Sequence, residues 1–321
     1  MLGIVAIGRN EGERLRDCLR SLPPEATVVY VDSGSTDRST TLARELGAEV
    51  VDLDLQKPFT AARARNAGFK RLEQISSDVE YVQFIDGDCS LCPTWLDHAV
   101  EHLKSHDDVG AVSGRRRERF PERSIYNQLC DWEWEQGKIG QADAFGGDVV
   151  IRAKALLAVG GYRDDLIAGE DPELALRLRM AGWKLWRLDT DMTVHDAALT
   201  QFKQWWRRST RSGYAFAQGA HLHGATNRYR VWESHRAWLW AFWLPLVGIT
   251  LILVFGPIAG LFFGIYLVQF LRQLLRNKGS LRDRAALSFF QILSRFAENI
   301  GQLKYLRDRI ARRQAQLIEY K

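Results

Sequence analysis

Two carboxylates follow an apolar run in the stretch YVQFIDGDCSLCPTWL, residues 81–96. The run stops at Asp86, and Asp88 follows after the single glycine Gly87. Asp and Gly are common turn residues, so a polar turn that ends a buried strand accounts for these letters. The same carboxylates suit a metal and phosphate site, because Mg²⁺ and Mn²⁺ take oxygen ligands and share their coordination sphere with substrate phosphates. The rest of the chain decides between these two interpretations.

Strands and helices that alternate along the first 90 residues would position these carboxylates. Short apolar runs predict the strands, and apolar residues at i, i+3, i+4 and i+7 predict the helices between them. We expect strands over residues 3–7, 27–32, 49–55 and 81–86. This pattern predicts an α/β fold with a doubly wound, mostly parallel sheet, helices on both faces and a ligand at the carboxyl ends of the strands. Asp32 and Asp86 end two of these strands, so both are expected at one crevice.

A nucleotide sugar would suit such a crevice. Its base and ribose need hydrogen-bond acceptors such as Asp32 and Asp86, and its diphosphate needs a divalent cation, which Asp88 could bind. Gly87 would let the ligand approach the backbone closely. Ser33 and Ser35 are candidate N-caps of the helix that follows the second strand.

Five segments resemble the inverting glycosyltransferases of family 2. They are, in order, AIGRNEGERLRDCLRSL, VVYVDSGSTD, ARNAGF, FIDGDC and GEDPELALRLRMAGWKL, and together they cover about residues 1–200. The resemblance implies the GT-A fold and transfer of a sugar from a nucleotide donor with inversion at the anomeric carbon. A UDP-sugar is the commonest donor of this family, and Mn²⁺ or Mg²⁺ is the implied cofactor.

The resemblance also implies roles for single residues. Nucleotide contacts fall to Glu11, Asp32, Arg65 and Asp86, and a metal contact to Asp88. The general base falls in the pair Glu170 and Asp171, with Asp171 as the expected base, because an acceptor hydroxyl must lose its proton as it attacks. The GEDPEL segment is also a good helix start with Asp171 as a candidate N-cap.

Further residues have both a functional and a structural interpretation. His195 in MTVHD could be a metal ligand through a neutral imidazole or a structural histidine. The segment that begins at Asp143 resembles the acceptor-side strand of the family, so acceptor contacts are predicted for Gly146, Gly147 and Asp148. Trp132 and Trp134 could offer a sugar-stacking face, and the core is the favoured interpretation. The four cysteines are expected to be structural.

Residues 238–271 contain no charged side chain. A single membrane span needs about 20 apolar residues, so this run predicts two short spans that turn near Gly256 and Pro257. Arginines and lysines on both sides place both ends in the cytoplasm. Crossing of the bilayer and re-entry both fit, and a hairpin buried in a soluble protein is the alternative. No signal peptide is evident, so the protein is expected at the inner membrane with its catalytic domain facing the cytoplasm.

Charge and apolarity divide the chain into three predicted regions. These are a catalytic domain over 1–237 with an interfacial amphipathic helix near 201–219, a membrane hairpin over 238–272 and a basic helical tail over 273–321. Residues 1–237 carry 32 Lys and Arg against 35 Asp and Glu, whereas residues 272–321 carry 12 against 4. The tail is expected to lie on membrane lipid, with an oligomerisation helix as the alternative. Nucleic acid is not an expected partner, since no recognition motif accompanies the charge.

A catalytic crevice next to a membrane anchor predicts a lipid-linked or glycan acceptor in surface or exopolysaccharide assembly. Polyprenyl phosphate itself, as in dolichol-phosphate-mannose synthases, is the alternative acceptor. Residues 201–205 read Q-x-x-Q-W, without the arginine of the Q-x-x-R-W segment of processive synthases, so a non-processive enzyme is expected. A nucleotidyltransferase is disfavoured because its glycine-rich phosphate loop is missing, and an inactive scaffold because Asp88 and Asp171 are present.

Overall fold

The computed structural model of the protein describes residues 1–313 and 318. The chain forms two compact units, Met1–Ala198 and Leu199–Lys321. The first unit therefore ends earlier than the catalytic domain suggested by the sequence, residues 1–237. The helix expected near residues 201–219 lies in the second unit.

The first unit begins with the alternation of strands and helices that the sequence predicts. Its strands are β1 (Leu2–Gly8), β2 (Thr27–Asp32), β3 (Glu49–Asp52), β4 (Tyr81–Asp86), β5 (Cys89–Leu91), β6 (Val109–Glu118), β7 (Gly140–Ala142), β8 (Val149–Arg152) and β9 (Lys184–His195). Its helices are α1 (Glu13–Arg20), α2 (Ser39–Glu45), α3 (Ala61–Ile75), α4 (Trp95–Ser105), α5 (Ile125–Glu135), α6 (Ala153–Ala158) and α7 (Glu170–Met180), with a 3₁₀ turn at Pro121–Arg123.

These strands form one nine-stranded mixed sheet. β3, β2, β1 and β4 are neighbours in that order and run parallel. The sheet continues through β8, β6, β9 and β5, where β6 pairs in parallel with β9 and the other pairs, including β7 with β9, are antiparallel. The α/β prediction is confirmed, and its parallel arrangement applies to the first four strands. The later strands are mixed, because antiparallel neighbours need no crossover helix.

Helices cover both faces of the sheet, as predicted. α3, α6 and α7 bury apolar side chains against one face, and α1, α2 and α4 against the other. α3 approaches the sheet closely at Gly68, where a Cβ atom would lie 2.3 Å from Cγ1 of Val5 and 2.9 Å from Cγ2 of Val31. The glycine of the ARNAGF segment is therefore needed for packing of α3, the helix that carries Arg65.

We expect Gly68→Ala to destabilise the protein. The added methyl group overlaps Val5 and Val31 and must push the helix from the sheet, which costs about 1–3 kcal/mol in close-packed cores. The melting temperature of the purified full chain measures this effect. Gly146→Ala is the matched control, because nothing lies within 4 Å of a Cβ atom at Gly146. Equal melting temperatures of the two variants would contradict the packing role of Gly68.

The second unit is helical throughout its described residues. Its helices are α8 (Phe202–Asn227), α9 (Val231–Trp238), α10 (Leu244–Phe255), α11 (Gly264–Arg276) and α12 (Leu281–Ile310), with a π-helical segment at Leu239–Trp243 and a 3₁₀ helix at Pro257–Phe263. α8 and α12 touch through their backbones, since a Cβ atom at Gly213 would lie 1.9 Å from the carbonyl oxygen of Glu298. α12 leaves Phe289, Ile300 and Leu303 of its predicted apolar stripe exposed.

Two helices of this unit match the predicted hairpin. Val231–Phe255 and Pro257–Arg276 are long and apolar enough, by length and composition, to cross a membrane, and 6% and 0% of their most apolar windows are buried. They are separated at Gly256, which has a φ of 80°, as predicted. Gly248 packs against the ring of Phe263, which brings the two helices together. The low burial disfavours the alternative of a hairpin enclosed in a soluble core.

Candidate active site

The carboxyl ends of β2 and β4 lie on either side of β1. Ile7 of β1 pairs with Asp86 of β4, and Gly8 of β1 pairs with Asp32 of β2. The two aspartates, far apart in sequence, therefore lie at the same edge of the sheet. This is the placement expected from parallel strands that alternate with helices.

The first loop of the chain lies over the glycine between the two carboxylates of D-G-D. The N–H of Gly87 donates to the carbonyl oxygen of Ile7 at 2.7 Å. A Cβ atom at Gly87 would lie 3.1 Å from that oxygen and 3.3 Å from Cγ of Glu11. Glu11 therefore lies at the same edge as Asp86, where its carboxylate is 2.9 Å from the guanidinium of Arg14.

A buried arginine of α3 joins carboxylates from two other elements. Arg65 is 2% exposed, and its Nη2 donates to Oδ1 of Asp86 at 2.9 Å. Its Nη1 donates to Oε1 of Glu170 at 2.9 Å and lies 3.0 Å from Oδ1 of Asp171. This Arg65 network brings together the predicted nucleotide residues Arg65 and Asp86 with the predicted catalytic pair.

The first turn of α7 presents both carboxylates of that pair to Arg65. The N-cap of α7 is Gly169, with a φ of 77°, so the N-cap role considered for Asp171 is wrong. The side chain of Asp171 turns inward because Arg65 attracts it. Burial raises the pKa of Asp171 to about 8; Arg65 opposes this shift, and the charges of Glu170 and Asp86 add to it. A carboxyl group that titrates near neutral pH is well suited to take up a proton.

A second cation lies on the other side of Asp86. Nη2 of Arg116, on β6, is 3.7 Å from Oδ2 of Asp86 and 2.7 Å from Oδ2 of Asp148. Asp148 is fully buried and also accepts hydrogen bonds from the backbone N–H of Asp86 at 3.1 Å and from Oγ1 of Thr193 at 2.6 Å. These contacts suit Asp148 to position Asp86, whereas its predicted contact with an acceptor stays a prediction.

Asp88 and His195 form a candidate metal site. β5 pairs with β9 so that Cys89 lies opposite His195, and Nε2 of His195 lies 3.3 Å from Oδ1 of Asp88. Burial, together with the charge of Arg116, lowers the pKa of His195 to about 4. The imidazole is therefore neutral near pH 7 and has a lone pair for a metal ion.

The groups around Asp88 and His195 fit a divalent cation such as Mn²⁺. Ligand atoms of Asp88, Cys89 and His195 all lie within 4.8 Å of one another. Burial raises the pKa of the Cys89 thiol well above its usual value, and Mn²⁺ and Mg²⁺ prefer oxygen ligands over a thiolate. The strong donors are thus one carboxylate oxygen and one imidazole nitrogen, a set that leaves coordination positions for phosphate oxygens and water. Behind the ring, Oε2 of Glu118 lies 3.9 Å from Nδ1 of His195.

Asp32 organises the turn after β2. It is 3% exposed, and its Oδ2 accepts from the backbone N–H groups of Gly34 at 2.9 Å and Ser35 at 2.7 Å. Its Oδ1 accepts from the hydroxyls of Tyr30 and Ser35. The N-cap of α2 is Arg38, which makes no side-chain cap, so the N-cap prediction for Ser33 or Ser35 is wrong, because the Ser35 hydroxyl binds Asp32 instead. The nucleotide contact of Asp32 stays a prediction.

A cavity of about 390 Å³ shares Arg116 and Asp148 with this site. The half-buried ring of Trp134 lines it, edge-on to His195 with 4.8 Å between ring centroids. The favoured core interpretation is therefore wrong for Trp134. Gly146 also lines the cavity. Gly147 lies instead at the Arg65 network, where a Cβ atom would be 2.5 Å from Nη2 of Arg65.

Residues 4–156 match the model described as Glycosyl transferase family 2. Residues 4–156, slightly less than half of the chain, are therefore similar to this family. The match includes Arg65, Asp86 and Asp88 and ends before α7 and His195.

Two characterised proteins are similar to part of this chain. Succinoglycan biosynthesis protein ExoA of Rhizobium meliloti is 27% identical over an alignment of 195 residues, which covers 57% of this chain and 57% of ExoA. Glycosyltransferase AglE of Haloferax volcanii is 25% identical over an alignment of 189 residues, which covers 55% of this chain and 60% of AglE. The match thus spans less than two thirds of each relative.

Solved structures share the fold over nearly the whole chain. Mannosyltransferase PcManGT from Pyrobaculum calidifontis, in complex with GDP-Man and Mn²⁺, has a TM-score of 0.58 and 20% identity, and the alignment covers 95% of this chain and 87% of that one. S. aureus TarS 1-349 in complex with UDP-GlcNAc has a TM-score of 0.50 and 14% identity, covering 95% and 91%. The predicted GT-A fold is confirmed.

Sequence reasoning missed Arg116, Glu118 and Thr193. Arg116 and Glu118 belong to the run GRRRERF, which looks like a charged surface segment. Side chains alternate between the two faces of a strand, so Arg116 and Glu118, two positions apart, lie on the same face. This two-residue period is the signal in the sequence that could have identified them. The chain gives no comparable signal for Thr193.

Proposed function

We propose that the protein is an inverting glycosyltransferase that moves a sugar from a nucleotide-sugar donor, expected to be a UDP-sugar, to a lipid-linked acceptor in the assembly of a surface polysaccharide or glycan. The observation that carries this proposal is the buried Arg65 network, which holds Asp86 and Asp171 at one point of the sheet edge. The Asp88–His195 pair supplies metal donors in the same unit.

The proposal of a nucleotide-sugar donor rests on the charged side chains at the carboxyl ends of the parallel strands. Asp86 offers an acceptor to ribose hydroxyls, and Arg65 and Arg116 on either side hold its carboxylate in place. The relatives and neighbours support a nucleotide-sugar class: AglE is described as a glycosyltransferase, and the two solved neighbours contain GDP-Man and UDP-GlcNAc. Those two ligands differ in base and sugar, so the donor is a question for binding experiments.

The reaction would be a direct displacement at the anomeric carbon. Asp171 takes the proton of the acceptor hydroxyl as that oxygen attacks, while Arg65 holds the carboxylate in place. A bound divalent cation at Asp88 and His195 would stabilise the charge on the leaving diphosphate as a Lewis acid. Asp86 and Glu170 complete the cage around Arg65 and fix its guanidinium.

The acceptor part of the proposal rests on the second unit. Its hairpin presents apolar side chains, with Leu253 81% and Leu261 80% exposed, which suits contact with lipid. Arginines flank the hairpin on both sides, consistent with both ends in the cytoplasm and the protein at the inner membrane. A polyprenyl-linked sugar fits an enzyme held there, and the same anchor would serve glycosylation of polyprenyl phosphate.

We expect one nucleotide diphosphate to bind the detergent-purified full chain only when Mn²⁺ is present. The reason is that Asp88 and His195 would hold the diphosphate through the ion. Calorimetric titrations with UDP, GDP and CMP, each with and without Mn²⁺, measure this. Binding of one of them names the donor base. If the folded protein binds none of the three, the glycosyltransferase proposal is wrong and an inactive membrane scaffold takes its place.

A further inference from the structure

Arg187 is a buried cation of β9 whose guanidinium meets a backbone carbonyl. It is 8% exposed, and its Nη2 donates to the backbone carbonyl of Trp134 at 2.9 Å. Within residues 1–313 and 318, no carboxylate lies in salt-bridge distance of its guanidinium. Burial lowers its pKa, and the nearby charge of Arg115 lowers it further, against Asp189 and Glu135. A buried charge without a counter-ion is unfavourable, so this arginine needs an explanation beyond packing.

The guanidinium of Arg187 lines the 390 Å³ cavity. A Cβ atom at Gly137, also part of the wall, would lie 1.5 Å from Nη1 of Arg187. The wall at Gly137 thus has no side chain because the arginine head occupies that space. The guanidinium of Arg187 is therefore a packed part of the cavity wall.

The cavity wall also carries three carboxylates, none of which lies in salt-bridge distance of the Arg187 guanidinium within residues 1–313 and 318: Glu133, Asp143 and Asp148. Asp148 is compensated by Arg116 at 2.7 Å. Asp143 lies 3.5 Å from Arg179. Lys138 adds another positive charge to the wall and, across the described part of the chain, has no carboxylate in salt-bridge distance. Arg187 and Lys138 are thus two cations of the wall, beside the ring of Trp134, that form no ion pair within the described residues.

We propose that this cavity is an acceptor subsite that binds an oxyanion, a phosphate or carboxylate group, and that Arg187 is the residue that binds it. The inference rests on the proposed function and names the class of its acceptor. A guanidinium can bind two oxygens of either group at once. The ring of Trp134 would contact the sugar that carries the anion, which places this sugar next to His195 and Arg116.

Calorimetry with matched sugars tests this proposal. The full chain in detergent is first saturated with Mn²⁺ and with whichever of UDP, GDP or CMP it binds, so that the donor site is filled. It is then titrated with methyl glucuronide, glucose 1-phosphate and methyl glucoside. We expect the carboxylate sugar, the phosphate sugar or both to bind at least tenfold more tightly than the neutral glucoside. The first two probes distinguish an acidic sugar from the phosphate of a lipid linker.

Three variants assign this preference to Arg187. Arg187→Gln should bind all three sugars equally weakly, and Arg187→Lys should keep part of the preference because it keeps the charge. Arg115→Gln is the control: this arginine is paired with Asp189 and Asp191 outside the cavity wall and its loss should leave the preference unchanged. The lysine variant also serves if the glutamine variant does not fold.

Several results would overturn the inference. They are equal affinity of the three sugars for the wild-type protein, an unchanged preference in Arg187→Gln, or no sugar binding to nucleotide-loaded protein. Nucleotide and Mn²⁺ binding would persist in each of these cases if the proposed function is right. Failure of the proposed function shows separately, as a lack of nucleotide binding, and the same sugars titrated into unloaded protein then still test the cavity.

Discussion

We expect Asp88→Ala to lower the rate of sugar transfer about a thousand-fold. Asp88 supplies the carboxylate oxygen of the candidate metal site, 3.3 Å from Nε2 of His195. Metal stabilisation of a leaving group is worth several kcal/mol, and each 1.36 kcal/mol is about a factor of ten in rate. The measurement is kcat/KM at saturating Mn²⁺, together with Mn²⁺ affinity by electron paramagnetic resonance. His195→Gln should lower kcat/KM and Mn²⁺ affinity less than Asp88→Ala does, because the carboxylate of Asp88 carries the negative charge that attracts the ion.

Asp97→Ala is the matched control for Asp88→Ala. Asp97 is an exposed carboxylate in the first turn of α4, so its loss should leave both rate and Mn²⁺ affinity near the wild-type values. Near wild-type activity of a folded Asp88→Ala protein would remove this residue from the metal site. The low pKa of His195, about 4, also predicts a Mn²⁺ affinity that changes little between pH 8 and pH 6, whereas an ordinary histidine would become protonated over part of that range.

The second large effect is expected for Asp171→Asn, which should lower kcat about 10²- to 10⁴-fold, the usual contribution of a general base. The amide cannot take up the proton of the acceptor hydroxyl. Arg65 keeps Asp86 and Glu170 as partners, so nucleotide and Mn²⁺ binding should persist. Asp165→Asn is the control, since Asp165 is an exposed carboxylate that pairs with Arg163. If kcat were unchanged in Asp171→Asn, another group would be the base.

The raised pKa of Asp171 also predicts how the activity of the protein changes with pH. Its ionised form, which acts as the base, becomes populated as pH rises toward about 8. Activity of the wild-type protein should therefore rise over that range and then level off, and Asp171→Asn should lack the rise. The contribution of Asp171 to the free energy of unfolding changes in the opposite direction with pH. The folded state binds the proton of Asp171 more strongly than the unfolded state does. This contribution is therefore complete below the ordinary pKa of an aspartate and decreases as the pH rises to about 8.

The same linkage predicts a stability gain for the Asp171→Asn variant. Above about pH 8 the wild-type protein must bury an ionised Asp171 beside Glu170 and Asp86, whereas the variant buries a neutral amide. We expect the melting temperature of Asp171→Asn to exceed that of the wild-type protein at pH 9 and to approach it at pH 5. A gain of equal size at both pH values would mean that ionisation of Asp171 is not its cause.

The first four strands could be predicted from the sequence because of how parallel sheets are buried. A strand covered on both faces reads as a short continuous apolar run, and the runs at β1, β2 and β4 are of this kind. The later part of the sheet could not be predicted in the same way. β5, β7 and β8 have three or four residues each, and β6 ends in charged residues, so local pattern does not identify them.

Within the candidate site, chain order alone placed Asp32 and Asp86 at one edge, because parallel strands end on the same side. The oxygen-ligand chemistry of divalent cations pointed to Asp88, and family resemblance added Arg65, Glu170 and Asp171 as functional residues. The apolar run of the second unit likewise predicted a hairpin that turns at Gly256, since no other residue type ends a helix there with a φ of 80° so readily.

Only the tertiary structure decided which charges face each other. Arg65 meets Asp86 and Asp171 across 21 and 106 positions of sequence because α3, β4 and α7 converge, and no local pattern encodes such a meeting. The low pKa of His195 and the high pKa of Asp171 arise from burial and from neighbours on other elements. The surroundings of the Arg187 guanidinium are likewise evident only in three dimensions: it donates to the backbone carbonyl of Trp134 and, within the described residues, meets no carboxylate at salt-bridge distance. The sequence by itself thus determined the first four strands, the helices between them and the apolar hairpin, and the packing of the elements determined the electrostatics on which the proposed chemistry depends.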